Sequence, residues 1–138
     1  MSKEDLAALG RMAPLLESPD FTFGEWSGGE RRADGVITMP YYSLSPQGYD
    51  LVRAMPVRMG FDWPTWKSTP EAIGLARDHE AIASATAEQV VMMSTLIVRQ
   101  DRFVDGLLAR AFESGLLLAL AKRARVLAGL DQAETNAS

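Results

Sequence analysis

The sequence contains no cysteine, and this absence excludes several kinds of site. Without thiols the chain has no disulfide, no thiol nucleophile and no thiolate ligand for a metal. His79 is the single histidine, and one imidazole without cysteine partners does not make a zinc site. No glycine-rich phosphate loop and no serine–histidine–acid order is present either. We therefore predict no metal, no cofactor and no catalytic residue.

Long apolar runs are missing as well. No stretch approaches the ~20 apolar residues that a membrane-spanning helix needs. Residues 1–5 carry two acids and adjoin no apolar core, which is unlike a signal peptide. Together with the lack of cysteine, this predicts a soluble, cytoplasmic protein that has no membrane partner.

Basic residues are outnumbered, with 14 lysines and arginines against 18 acids and a net charge of -4. Nucleic-acid binding is disfavoured by this charge, because phosphate backbones attract basic surfaces. The 138 residues are enough for one hydrophobic core but not for two. We predict a single globular domain over residues 1–130 and a flexible tail over residues 131–138, where small and polar residues dominate.

The longest proline-free segment with a helical period is residues 86–130. Thr86 and Gln89 have the spacing of a capping box, and Gly115 predicts a break with glycine in the left-handed conformation. The segment should form two or three helices at the centre of the fold. Its predicted buried residues are Val90, Ile97, Phe103, Leu107, Phe112 and Leu120.

The first half of the chain alternates short helix and strand signals. A helix over residues 4–16 is weakened by Gly10 and Pro14, and residues 21–26 and 36–39 read as the two strands of a hairpin. Ser–Pro and Thr–Pro pairs at 45–46 and 69–70 are typical of helix starts. On the first of these helices, Tyr49, Val52 and Met55 share one face. The fold class is thus mainly α (α+β), a helical domain with one small β-hairpin.

Residues 61–66 form the most unusual motif, with Asp62 between Phe61 and the tryptophans Trp63 and Trp66. The favoured interpretation is a rigid plug, in which the tryptophans cover the core and Asp62 caps a turn. The alternative is a pocket wall that offers aromatic faces and a carboxylate to a ligand.

Arg99 and Arg102 lie three residues apart and could clamp an anionic ligand together. The commoner role of such arginines is an internal ion pair. We expect Asp62 to pair with one of them, because a carboxylate that is buried among aromatic rings needs a partner. Tyr41 and Tyr42 could add hydroxyl groups to the same site, although packing of their rings is the simpler role.

Three motifs in a fixed order resemble those of a small bacterial family of uncharacterised proteins, a domain of unknown function. They are Pro-Tyr-x-x-Leu-Ser from Pro40, Phe-Asp-Trp-Pro-x-Trp from Phe61 and Arg-x-x-Arg-Phe from Arg99, followed by Glu113-Ser114-Gly115. The resemblance covers residues 24–127, and the chain departs from it between Met55 and Phe61. It implies one structural unit and brings no activity with it.

Two functional hypotheses follow. In the first, the chain is an interaction module that forms a homodimer through its C-terminal helices. Leu116, Leu117 and Leu118 support it, because three consecutive leucines cannot all face one core. In the second, a small anion or another small molecule binds, with or without catalysis. That site would comprise Tyr41, Tyr42, Asp62, Trp63, Trp66, Arg99 and Arg102.

Overall fold

The structure is a computed structural model that describes residues 3–29, 33–37, 40–101 and 106–130. Within these ranges the chain is mainly helical and has one two-stranded antiparallel sheet, as predicted. None of the helices in these ranges has the length and apolar character that crossing a bilayer requires. The elements are α1 (Lys3–Arg11), α2 (Ala13–Leu16), β1 (Gly24–Ser27), β2 (Tyr41–Leu44), α3 (Pro46–Ala54), α4 (Trp63–Trp66), α5 (Pro70–Arg77), α6 (His79–Ala83), α7 (Ala87–Gln100), α8 (Leu107–Glu113) and α9 (Leu116–Leu127).

Helix α9 is the element against which most of the fold packs. It contacts α1, α2, α6, α7 and α8, while α7 contacts α4, α5, α8 and α9. The predicted central position of residues 86–130 is therefore confirmed for the part that the structure describes. The residues that α9 buries are Leu116, Leu117, Leu120, Ala121 and Ala124.

Polar side chains start most of the helices in the middle of the chain. Each side-chain oxygen accepts a hydrogen bond from a backbone N–H of the first turn, which otherwise has no partner inside the helix. The capping box that opens α7 has both of its reciprocal bonds. These helix starts agree with the sequence prediction. The capping residues are Ser45, Asp62, Thr69, Asp78 and Thr86.

The predicted N-terminal helix is divided into α1 and α2, which follow one another at Met12. Pro14 stands at the start of α2, where its missing N–H costs nothing. Gly10 lies on α1 where that helix meets α9. A Cβ atom there would be only 2.7 Å from the Cα of Arg125, so glycine allows the two backbones to touch.

The predicted hairpin is wrong in its second strand. Strand β1 pairs with β2, which begins at Tyr41. Of the predicted second strand, Val36 and Ile37 are 51% and 64% exposed, and residues 38 and 39 lie outside the described residues. The local β propensity of the valine–isoleucine run is outweighed by tertiary contacts. Trp26 pairs with Tyr42 across the strands, and the Ser45 N–H donates to the Phe23 carbonyl at 2.9 Å.

Burial differs among the three residues predicted to share a face of the helix after Ser45. Met55, just after α3, is buried and Val52 is partly buried, whereas Tyr49 is 52% exposed and lines a surface cavity. Of the six residues predicted to be buried, Val90, Ile97 and Leu120 are so, whereas Leu107 and Phe112 are only partly buried. Phe112 packs at the edge of the core and stacks on Phe23, with 4.8 Å between ring centroids. Phe103 lies outside the described residues.

Replacement of Gly10 by alanine should destabilise the fold although alanine is the better helix former. A Cβ would meet the α9 backbone, and overpacking of this kind costs ~1–3 kcal/mol. Gly74→Ala on α5 is the matched control, because nothing lies within 4 Å of its Cβ position; it should stabilise by ~0.5–1 kcal/mol. Urea unfolding of both variants measures the two opposite signs. A stabilised Gly10→Ala variant would contradict the close helix contact.

Gly115→Ala should lower the free energy of unfolding by ~1–2 kcal/mol, because residues with a Cβ pay this amount in the left-handed region. Gly115 has φ 87°, and its added Cβ would also lie 3.3 Å from Cε1 of His79. Thermal and urea unfolding measure the loss. Unchanged or higher stability would mean that α8 and α9 can join into one straight helix.

Candidate functional site

A shallow apolar groove lies between α6 and α9, and its volume is about 370 Å³. It exists because Gly115 starts α9 with Leu116 and Leu117 facing the core, which leaves Leu118 half-buried at the surface. Leu118 packs partly against the core and also lines the groove, so its predicted contact with another subunit stays a prediction. We call this surface the α6–α9 groove; it is lined by His79, Ala83, Leu118, Ala119, Lys122, Arg123 and Val126.

The cations at the edge of the α6–α9 groove have partners inside the chain. Lys122 Nζ lies 2.8 Å from a carboxylate oxygen of Glu17, and both side chains are at least half exposed. Arg123 donates from Nε to the carbonyl of Ala85 at 2.7 Å. The exposed ion pair contributes little to stability, but it neutralises the charge beside the apolar surface.

A second cavity, of about 350 Å³, lies where β2, α3, the end of α7 and α8 meet. All three tyrosines of the chain line it, together with the carboxylate of Asp101. Asp101 also accepts a hydrogen bond from the Leu108 N–H at 3.0 Å, which joins the end of α7 to α8. We call this the tyrosine cavity; it is lined by Tyr41, Tyr42, Tyr49, Asp101, Leu108 and Ala109, among others.

Tyr42 is the most firmly held ring of the tyrosine cavity. Its ring lies 6.0 Å from that of Phe23 and 5.3 Å from that of Trp26, the latter in an edge-to-face arrangement. Burial, and to a smaller extent the negative charge of Glu113, raises the pKa of the Tyr42 hydroxyl. The phenol is therefore neutral at physiological pH. Tyr41 and Tyr49 are 57% and 52% exposed and stand open to solvent.

A third and larger groove, of about 780 Å³, runs between α1, the end of α3 and the start of α7. Its charges are mixed, with Glu4 and Glu88 among the acids and Arg53 and Arg58 among the bases. Arg58 pairs with Glu88 at 3.2 Å. Charges of both signs line this groove, with three acids and two arginines.

The residues predicted to form one site lie in two places. Asp62 caps α4 by accepting from the Thr65 N–H at 3.3 Å, and Trp66 is buried, as the plug interpretation expects. Arg99 approaches the Met59 sulfur at 3.3 Å and forms no ion pair with Asp62. Arg102 lies outside the described residues. The predicted pairing of Asp62 with Arg99 is thus not formed.

Neither the α6–α9 groove nor the tyrosine cavity is lined by Asp62, Trp63, Trp66 or Arg99. The indole N–H of Trp66 is buried and has no hydrogen-bond acceptor among the described residues. Trp63 packs partly buried against the core. The structure places Tyr41 and Tyr42 elsewhere, in the tyrosine cavity. A ligand role for the Asp62 cluster stays a prediction, whereas the plug describes its observed geometry.

Sequence reasoning missed Tyr49 and Asp101 as cavity residues, and His79, Ala83 and Val126 as groove residues. Tyr49 was predicted only to share one helix face with Val52 and Met55, and Asp101 was not among the predicted site residues. Only Leu118 carried a detectable signal, the leucine triplet. Within the described residues, no group of three or more histidines and acids is arranged to hold a metal ion.

Comparison with known proteins gives the chain a family. Residues 1–129 match the model of a family described as "Family of unknown function (DUF6508)". No curated protein and no solved structure matches the chain. The match covers nearly the whole sequence, which agrees with the resemblance of its motifs to an uncharacterised family. The chain belongs to the family of unknown function DUF6508.

Proposed function

We propose that this protein is an interaction module that forms a homodimer through the α6–α9 groove. The observation that carries the proposal is the position of Leu118. It is the one leucine of the triplet that is only partly buried: it packs against the edge of the core and also lines an apolar groove with the half-exposed Val126. Partly exposed apolar side chains that are grouped in this way mark contact surfaces.

The spacing of the groove residues suits a helix-to-helix contact. Leu118, Lys122 and Val126 follow one another at four-residue steps along α9, and the stretch from Gly115 to Val126 spans ~17 Å of helix. In an antiparallel two-fold arrangement centred near Lys122, Leu118 of each copy would meet Val126 of the other. The small side chains of Ala83 and Ala119 leave room for a close approach.

The charges favour a second copy of the chain over an acidic partner. In such a dimer the two copies of Lys122 would lie close together, but Glu17 of the same chain already neutralises each of them at 2.8 Å. Arg123 is likewise engaged by the Ala85 carbonyl. A groove whose cations are satisfied internally offers apolar contact rather than charge attraction. The apolar groove would form the centre of the interface, and the polar residues around it the rim of a contact of ~1,200 Å² or more.

Sedimentation equilibrium over a range of protein concentrations tests the proposal. We expect a species of twice the 15.1 kDa chain mass that dissociates on dilution. Val126→Glu should shift the protein to monomer, because two carboxylates would enter the apolar centre. Val36→Glu is the matched control: Val36 is 51% exposed, like Val126 at 50%, and lies in a loop outside the groove.

Leu118→Glu provides an independent variant, and Leu15→Glu on α2 is its control at an exposed leucine. Circular dichroism checks the fold of both glutamate variants, and this check matters more for Leu118→Glu, because Leu118 also packs against the core whereas Leu15 is 52% exposed. A parent protein that stays monomeric at hundreds of micromolar contradicts the proposal. So does a dimer that both groove variants leave intact.

A further inference from the structure

We propose that the tyrosine cavity binds an organic cation, specifically an alkylated ammonium group. The site is separate from the α6–α9 groove, because β2, α3, α7 and α8 build it and it shares no lining residue with that groove. The proposal therefore goes beyond dimerisation and does not depend on it. Three observations carry it: the aromatic lining, the local charge and the size.

Three aromatic residues line the tyrosine cavity. The three tyrosines of the chain come from two elements, Tyr41 and Tyr42 from β2 and Tyr49 from α3. Core packing does not explain Tyr41 and Tyr49, since more than half of each side chain is exposed. Aromatic faces carry negative electrostatic potential, and several of them around one space attract a cation that has little hydration to lose.

The local charge has the sign that a cation needs. Asp101 is the one ionisable carboxyl group among the described lining residues, and no lysine or arginine is among them. Its carboxylate accepts one bond from the Leu108 N–H through Oδ1, which fixes its position at the cavity. Glu113 acts on Tyr42 from α8 and adds to the negative potential. This negative potential disfavours binding of an anion, although an anion was the ligand that the sequence alone suggested.

The size and the ligand set point to an organic cation rather than a metal. A volume of about 350 Å³ is at the lower end for small-molecule sites. A hard metal cation takes six or more oxygen ligands, whereas one carboxylate and neutral phenols are present here. An alkylated ammonium group needs no hydrogen-bond acceptors of its own. It gains from aromatic faces and from one nearby negative charge.

Isothermal titration of the full chain with choline chloride tests the proposal, and the tyrosine ring signals in NMR spectra locate the binding. We expect saturable binding that shifts these signals. The uncharged carbon isostere 3,3-dimethylbutan-1-ol and sodium chloride at equal concentration should not bind. Comparing free choline with a short peptide that contains trimethyllysine shows whether the alkylated ammonium group belongs to a small molecule or to a modified protein side chain.

Paired variants distinguish the contribution of the tyrosine ring from that of its hydroxyl group. They also distinguish the effect of the Asp101 charge from an effect on folding. Tyr41→Ala should weaken binding by about tenfold or more, whereas Tyr41→Phe keeps the ring and should bind nearly as well. Asp101→Asn keeps an acceptor for the Leu108 N–H but loses the charge, and it should also weaken binding. Asp20→Asn, an exposed site outside the cavity, is the control for net charge. Tyr41 is 57% exposed, so its variants should fold even if Asp101→Asn does not.

The proposal is overturned if neither choline nor the trimethyllysine peptide saturates. Equal binding of the uncharged isostere overturns it as well, because the site would then be merely apolar. Tyr41→Ala with the affinity of the parent protein would show that the cation binds elsewhere. Binding by the monomeric Val126→Glu variant at the parent affinity is expected, because the tyrosine cavity does not include α9.

Discussion

The backbone contact between α1 and α9 at Gly10 is the constraint on which the arrangement of helices depends. Any side chain at that position would meet Arg125 backbone atoms, so the two helices would separate. Helix α9 is also the surface that α2, α6, α7 and α8 pack against. A shift of α9 would therefore reach most of the core, because closely packed interiors transmit displacement rather than absorb it.

Helix α9 has more apolar surface than one core can bury, and this excess makes the α6–α9 groove apolar. Leu116, Leu117 and Leu120 are buried, whereas Leu118 is only partly buried at the edge of the core and Val126 is half exposed. The left-handed Gly115 sets the rotation of the helix at its first residue, and with it the choice of which leucine is left out. Stability of the fold and exposure of the groove thus follow from the same helix break.

The tyrosine cavity depends on contacts between distant parts of the chain. Pairing of β1 with β2 holds Tyr42 against Trp26, and Ser45 then starts α3 so that Tyr49 lies nearby. Asp101 connects the end of α7 to Leu108 at the start of α8. Of the residues predicted to form one site with Asp62, Tyr41 and Tyr42 line this cavity, whereas Asp62 and Trp66 do not. At residues 61–66, Trp66 is buried and Asp62 caps α4.

The sequence by itself determined the helical class, the capped helix starts from Ser45 to Thr86, the break at Gly115 and the surplus leucine. Each depends on interactions within a few residues, such as a side-chain oxygen and the N–H groups of the next turn. Only the tertiary structure decided which strand pairs with β1, why position 10 needs glycine and that Tyr49 and Asp101 line the same cavity. These depend on contacts between residues far apart in sequence, where local propensity is outweighed by packing and burial.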